Sequence, residues 1–543
     1  MAVGLPTERL FEMQEFDYVI VGGGSAGCCL AGRLAENTEK SVCLIEAGPT
    51  NASPRVSIPL GLVTLMGSST YDWRFKAEPL SSFRNKQPGV PRGKTLGGSG
   101  SINSMLYIRG RPSDYDAWAK KGCTGWNWRS VLPYFKRAEN NSRFHDELHG
   151  TEGPLHVQGL RTSSELNSCL VEAGESVGIP HNPDFNGNTQ EGLGEYQVTM
   201  KAGRRWSAAD AYLKPVMRRS NLTVLTGSNV KKIGFGQKRA QDLTVLSEEG
   251  KSQVKIRKEL ILCAGSIGSP ELLLRSGVGP GSELQSSGLS IVHHLPGVGK
   301  NLQDHPALPM FFAGGSQGYA LSWATLPEIF LSPFRYFLSR RGLWSSNTVE
   351  AGGFARTSKQ LKEPDVQFHF IPGRMGHLGK MLVWGRGYYG DVCVLKPKSR
   401  GSVTLNPKQV DGPPRIDLNL LSETEDQDTL IRGARLARSI LSQPAMTKQG
   451  AMEICPGPGV ETDEQWFDYI CERLGTAYHP VGTCPMGPLS DEFAVVDADL
   501  KVHGLDNVRV VDASVMPEIV AGNTNAPTMM IAEVASDKIV SAN

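Results

Sequence analysis

The segment Phe16-Asp17-Tyr18-Val19-Ile20-Val21-Gly22-Gly23-Gly24-Ser25-Ala26-Gly27 constrains this chain more than any other stretch. A β-type apolar run leads straight into Gly-x-Gly-x-x-Gly, and an apolar helix face follows at Leu30, Ala31, Leu34 and Ala35. A second strand-like run, Val42-Cys43-Leu44-Ile45, ends at Glu46, nineteen residues after Gly27. Each residue type has a mechanical role. Gly22 permits the tight turn, Gly24 lets the backbone approach a pyrophosphate, and Gly27 lets the helix pack closely on the strand. The helix N-terminus offers free N–H groups and the positive end of its dipole to phosphates, and Glu46 can accept both hydroxyls of an adenosine ribose. Strand, glycines, helix and acid together predict a dinucleotide site. They do not by themselves distinguish FAD from a nicotinamide dinucleotide.

At 543 residues the chain exceeds one simple core, so two domains are expected, with interleaving left open. The 57 basic and 55 acidic residues nearly cancel, which gives no reason to invoke nucleic acid. No run approaches the roughly 20 apolar residues that span a bilayer. Met1 to Glu15 is mixed and charged, without the apolar centre of a secretory leader. Of the ten cysteines, Cys28, Cys29, Cys43, Cys263 and Cys393 sit in apolar runs and no Cys-x-x-Cys pair occurs. Buried free thiols in a reducing compartment are expected, which places the protein in the cytoplasm, soluble or peripheral to a membrane. His145 and His149 have i, i+4 spacing but no obvious third ligand, so a solvated loop or helix end is expected there and no metal.

Ser81 to Asn103 is rich in Gly, Pro and Ser and reads as a long irregular segment. Within it, residues 92–103 (Arg-Gly-Lys-Thr-Leu-Gly-Gly-Ser-Gly-Ser-Ile-Asn) form a second small-residue cluster, able to lay bare backbone N–H groups against an anion or a flat ring, or to serve as a linker. Trp126 to Ala138 reads as a helix. Leu222–Leu225 and Leu243–Leu246 read as antiparallel strands flanking a connector. Glu259 to Gly265 reads as a buried strand and turn, with a helix starting at Ser269-Pro270. Alternating stretches between Leu308 and Asp417, such as Asp365 to Phe370, indicate an antiparallel sheet. The aromatics Trp323, Phe330, Phe334, Tyr336, Phe337 and Trp344 could line a pocket or belong to an ordinary core or lid helix. The expected class is α/β, a Rossmann-like nucleotide domain (1–155, 221–307 and 476–543) interleaved with an antiparallel-sheet substrate domain (156–220 and 308–475).

Near the C-terminus Val508–Val511 is a strand with Asp512-Ala513-Ser514 at its carboxyl end, where open α/β sheets bind ligands. His479 lies between the helix Glu464–Leu474, broken by Gly475, and Pro480. A histidine on such a rigid loop suits a fixed general base, since its unperturbed pKa is near 6.5; a structural histidine is the other reading. Gly522 to Thr528 precedes an apolar helix, Met529–Ile539. It reads as an N-cap and turn that could also present N–H groups to a bound ring.

Taken with Gly265 to Gly279 and with Gly297 to His305, the fingerprint and residues 92–103 resemble the glucose–methanol–choline (GMC) flavoprotein oxidoreductases over essentially the whole length. The resemblance implies FAD, held by Gly22, Gly24, Ser25, Ala26, Gly27, Glu46, Leu96, Gly98, Asn103, Val230, Ala264, Asp512, Ala513 and Thr524. It implies that His479 and Asn523 are the catalytic pair, in the form seen in choline dehydrogenase-like alcohol dehydrogenases and oxidases. His305 is expected to be structural. The reaction implied is oxidation of a small alcohol to an aldehyde or ketone, with oxygen, a quinone or another acceptor taking the electrons. Ile102 stands where some members carry the histidine that binds FAD covalently, so a non-covalent flavin is expected. The alternative is a non-redox lyase of the same family, hydroxynitrile lyase-like or fatty-acid photodecarboxylase-like. Against the latter, Leu395 precedes Lys396-Pro397 where that branch carries a cysteine, Cys393 is two positions off, and His479 is present. A choline site would need an acid such as Glu350 and nearby aromatics to converge on a trimethylammonium group.

Overall fold

The computed structural model describes residues 14–375, 383–448 and 450–542; the reading of a leader-free start rests mostly on 1–13, outside the described residues. Two seven-stranded sheets are assembled from interleaved stretches of chain. The first has the order Leu222–Leu225, Val42–Ile45, Gln14–Val21, Gly250–Leu262, Arg239–Ser247, Asn229–Gly236, and Val508–Val510 pairs with the carboxyl end of Gly250–Leu262. Its central strands run parallel and are apolar on both faces, because helices cover both. Helix Ser25–Asn37 packs there against helix Asn525–Ser541, so the two ends of the chain share one core.

The second sheet is antiparallel, in the order Met452–Cys455, Pro306–Ala313, Gly387–Val394, Val366–Ile371, Ala351–Ala355, Gly192–Glu195, with Gly475–Thr476 added beside Pro306. Strand periodicity assigns its two faces. Val366, Phe368 and Phe370 pack with Leu308, Met310 and Phe312 beneath helix Thr424–Leu441. The alternate positions Pro309, Phe311, His369, Ile371, Tyr389 and Asp391 face a large cavity between the sheets. The α/β class, a Rossmann-like sheet interleaved with an antiparallel one, is as the sequence indicates.

Several local expectations are corrected. Leu222–Leu225 is not an antiparallel neighbour of Leu243–Leu246 but a parallel edge strand on Val42–Ile45. The intervening segment is itself a strand, Asn229–Gly236, closed onto Arg239–Ser247 by a tight turn with Gln237 at φ +57°. The helix expected from Ser269-Pro270 starts at Gly265 and holds Pro270 in its interior. The carbonyl that Pro270 cannot pair, that of Ser266, accepts instead from Thr483 Oγ1 at 2.7 Å, a tertiary bond invisible in local sequence.

Helix Trp128–Ala138 starts two residues late because Asn127 caps it, and the last helix begins at Asn525, before Pro527. His149 is not solvated. It is buried with Nε2 2.9 Å from Asp184 Oδ2 and Nδ1 3.4 Å from Glu139 Oε1. Burial alone would lower its pKa, but these two carboxylates raise it to about 9. The aromatics between 323 and 344 neither line the cavity nor fill a core: Trp323, Phe330, Phe334 and Phe337 are exposed, and Tyr336 alone among them is fully buried. All ten cysteines are buried free thiols, as the apolar runs suggest.

Candidate active site

The cavity has a volume of about 1610 Å³ and runs along the carboxyl ends of the parallel strands to the antiparallel sheet. Single-ligand pockets measure about 300–1,000 Å³, so there is room for a dinucleotide and a second small molecule. At one end stands the glycine loop, whose three glycines do different work. Gly22 has φ +104°, and a Cβ there would lie 2.4 Å from the Cys263 carbonyl oxygen. A Cβ on Gly27 would lie 1.9 Å from Gly22 O, so that glycine lets the helix sit on the strand. A Cβ on Gly24 would approach nothing closer than 3.9 Å and would project into the cavity. No side chain caps helix Ser25–Asn37 and its first turn has no acid, so its N-terminus keeps its capacity for an anion.

Glu46 lines the same end. Its Oε2 accepts from Gly23 N at 2.8 Å and its Oε1 from Gly48 N at 2.7 Å, which orients the carboxylate and leaves each oxygen a further lone pair for a hydroxyl. Burial pushes its pKa up, against the two N–H donors. The second small-residue cluster is not a linker. Gly97 N donates to Gly23 O at 2.7 Å, and Gly98, at φ +53°, sits so close to Gly24 that a Cβ would lie 2.7 Å from its Cα.

Ser25 Oγ donates to Asn525 Oδ1 at 2.7 Å, so a second helix N-terminus, that of Asn525–Ser541, opens onto the cavity beside the first. Ala26, Asn103, Val230, Ala264, Asp512, Ala513 and Thr524 also line it. Asn103 Oδ1 is held by Arg205 Nη1 at 2.8 Å, and the Asp512 carboxylate is taken up by Gly265 N at 2.8 Å and Ser269 Oγ at 2.6 Å. Leu96 and Gly27 are not on the wall; Leu96 packs behind it against Gly23. Bare backbone, a free helix N-terminus and a ribose-ready carboxylate make one end of the cavity chemically suited to a dinucleotide.

At the other end His479 meets Asn523: Asn523 Nδ2 lies 3.1 Å from His479 Nε2. The direction of that bond is fixed from the sheet. Phe368 O can only accept, and takes the Tyr196 hydroxyl proton at 2.6 Å. Tyr196 therefore accepts from Gln367 Nε2 at 3.3 Å, and the other amide proton of Gln367 goes to Asn523 Oδ1 at 3.0 Å. Asn523 is left presenting its NH₂ to His479, whose Nε2 must carry the lone pair. Nδ1 is buried with no hydrogen-bond partner among the described residues.

The imidazole is held from its backbone. Tyr478 takes a left-handed φ of +64°, and His479 N donates to Asp304 Oδ1 at 2.8 Å. Burial, then the positive fields of His305, His369 and Arg92, drive the His479 pKa well below 6.5, so the ring is neutral at physiological pH. Asp304 is itself raised to about 6 by burial, against its N–H donors and Arg92. His305 is fully buried between Val394 O (2.9 Å) and Gly522 O (3.2 Å) and does not line the cavity, in keeping with a structural role.

Glu350 does not form a cation cage with its neighbours. Its carboxylate is taken by Ser346 Oγ (2.6 Å), Tyr319 OH (2.8 Å), Asn167 Nδ2 (2.9 Å) and Ser164 N (3.0 Å), and it is not on the cavity wall. Sequence reasoning missed Gln367, which orients Asn523, and the pair His369 Nδ1–Asp391 Oδ1 at 2.9 Å, which faces the cavity. The signal was there in outline: in the alternating strand Asp365 to Phe370, the polar residues Gln367 and His369 share the face opposite the apolar ones.

The chain matches the two GMC oxidoreductase family models, the N-terminal one over residues 16–307 and the C-terminal one over 397–532. It is 44% identical over 531 residues to the "Alcohol dehydrogenase [acceptor]" of Pseudomonas putida, covering 97% of this chain and 96% of that one. It is 40% identical over 526 residues to an "Oxygen-dependent choline dehydrogenase" of Rhizobium johnstonii, covering 96% and 95%. The crystal structure of pyridoxine 4-oxidase from Mesorbium loti superposes with a TM-score of 0.86 at 32% identity, over 96% of this chain and 98% of that one.

Proposed function

Because this chain belongs to the GMC oxidoreductase family, FAD-dependent enzymes that act on alcohols, we propose that His479 and Asn523 are its catalytic pair in the oxidation of an alcohol to an aldehyde or ketone at the inner end of the cavity. The observation that carries this reading is the 3.1 Å approach of His479 Nε2 and Asn523 Nδ2 at the cavity wall, with the lone pair on Nε2. A substrate hydroxyl placed between them donates to Nε2 and accepts from Nδ2–H. His479 Nε2 then takes the hydroxyl proton, which a neutral, buried imidazole does without first losing one of its own. Asn523 Nδ2–H holds the alkoxide oxygen as its charge develops, and Gln367 keeps that donor aimed. Bound FAD supplies the two-electron acceptor for the α-hydrogen and its bonding pair. Glu46 would hold its adenosine ribose, and Val230, two residues past Ser228 whose N donates to Glu46 O at 2.9 Å, would lie by the adenine. The bare backbone at Gly24 and the Ser25 helix N-terminus would take its pyrophosphate, and Asn103, Ala264, Ala513 and Thr524 would line the rest of its length.

The flavin is non-covalent in this reading, since Ile102 on the cavity wall offers no nucleophile. Acid precipitation should release all FAD into the supernatant; yellow colour retained in the pellet would contradict the assignment. The lyase readings lose ground. Relatives are named as dehydrogenases, and Cys393 is buried in its strand away from the cavity wall.

Glu350 is already satisfied and off the wall, while Phe311, Ile371 and Tyr389 are on it, and Asp391, the acid that does face the cavity there, is already engaged by His369 Nδ1 at 2.9 Å and the Tyr389 hydroxyl at 2.9 Å. That favours an alcohol with an apolar body over a quaternary ammonium. A substrate panel of aliphatic and aromatic primary alcohols and choline, scored with both oxygen and an artificial acceptor, tests this; choline as the best substrate would sink it.

The sign of the pH dependence follows from His479. Its pKa is lowered well below the ordinary 6.5, so the base form is complete at neutral pH and is lost only at pH well below 6.5. The kcat/KM for alcohol should be flat above neutrality and decline on the acid side with a single ionisation. A rate that keeps rising well above pH 7 would mean that another group is the base.

A further inference from the structure

Helix Leu326–Ser339 is built inside out for a surface helix. It rests on the protein through Ser332 and Tyr336, and turns Phe330, Leu331, Phe334, Phe337 and Leu338 to the outside. These occupy positions i, i+1, i+4, i+7 and i+8, so they form one continuous apolar stripe along about 12 Å of helix. The exposures are large: 73% for Phe330, 88% for Leu338, and 79% for Trp323 just before the helix. Trp323 packs edge-on against Trp384, with ring centroids 5.0 Å apart, and extends the stripe. Apolar patches of this kind mark a surface that is covered in use.

The charge around the stripe says by what. Between Trp323 and Arg341 there is one acid, Glu328, against Arg335, Arg340 and Arg341. Arg161 reaches the end of the helix, with Nη2 3.4 Å from Ser339 O, and the hairpin carrying exposed Arg204 abuts Arg340 through Gly203. A two-fold pairing of copies through this patch would set those arginines against one another, whereas an anionic lipid surface neutralises them. Trp and Phe facing out, with arginines at the margin, is the composition of a helix lying in a bilayer interface. No helix among the described residues is long and apolar enough to cross a membrane. The patch is also stitched to the cavity rim. Leu321 bridges Trp384, and Tyr319 bridges Gly373, two residues from Met375 on the cavity wall.

We propose that helix Leu326–Ser339, with Trp323 and Trp384, docks the enzyme onto anionic lipid bilayers. The holoenzyme, carrying its flavin, should co-sediment with vesicles of phosphatidylglycerol and phosphatidylcholine, less with phosphatidylcholine alone, and less again in high salt. The triple variant F330S/F334S/F337S should bind at least about tenfold more weakly, and R335Q/R341Q should lose the preference for anionic lipid. Both should keep full flavin content and turnover with a soluble acceptor, which shows that they are folded. Wild-type protein that ignores the vesicles, or variants that bind as it does, would overturn the proposal. So would a dimer in solution that the triple variant splits while vesicle binding stays absent, which would assign the patch to a second copy of the chain.

Discussion

His479→Ala is expected to keep its FAD and to lose roughly 10²–10⁴-fold in the rate of flavin reduction by alcohol, the usual contribution of a positioned acid/base group. The flavin should stay because the ring of His479 meets Asn523 and the inner end of the cavity, while the phosphate-binding features gather at Gly24 and Glu46. The loss should fall mainly on kcat, since Asn523 remains aimed by Gln367 and the substrate oxygen keeps one of its two partners. The acid limb of the wild-type pH profile should vanish in the variant, because the group whose protonation produces it is gone. Stopped-flow reduction under anaerobic conditions measures this directly. A variant reduced at close to the wild-type rate would return His479 to a structural role and reopen the lyase readings.

Gly24→Val should yield a folded protein isolated largely without flavin. Gly24 has φ −77° and ψ −163°, extended backbone that valine adopts freely, and its Cβ would meet only Cys263 O at 3.9 Å and Gly98 Cα at 4.0 Å. The Cβ position is therefore open on the protein side, and the added side chain occupies space the ligand would take. The same change at Gly22 would fail differently, by a 2.4 Å clash with Cys263 O and a φ that valine resists. Circular dichroism with the flavin-to-protein absorbance ratio separates the two outcomes. A Gly24→Val protein with a full flavin complement would show that this loop is not the phosphate cradle.

The fingerprint was legible because its constraints are local. A strand, a turn that only glycine can make, and a helix that begins at once lie within a dozen residues, so spacing alone carries the geometry. Glu46 was legible for the same reason, standing at the end of the next strand. The two-residue alternation in Asp365 to Phe370 likewise fixed a strand with two faces. Partners and bounds were less accessible. The Leu222–Leu225 run is apolar whichever neighbour it takes, and the free edge of Val42–Ile45 chose for it. The helix at Gly265 ran through Pro270 because Thr483, more than two hundred residues away, satisfied the orphaned carbonyl.

Residue identity alone determined that this chain carries a βαβ unit with a dinucleotide fingerprint; pairing His479 with Asn523 needed the resemblance to the GMC flavoproteins. What tertiary structure decided is how those two face each other. His479 and Asn523 are 44 residues apart, and the roles proposed for them depend on Gln367 from the antiparallel sheet and Tyr196 just past its edge strand, which turn the Asn523 amide so that Nε2 keeps its lone pair. Burial then sets the charge of the ring. Glu350 shows the converse: an acid well placed in sequence for a cation was taken up by four other donors once the chain folded. Helix Leu326–Ser339 is the sharpest case, since its aromatic periodicity is the same whether the stripe faces a core or the outside. Which way it turns is settled by what packs beneath it, and here Ser332 and Tyr336 lie underneath while the phenylalanines do not.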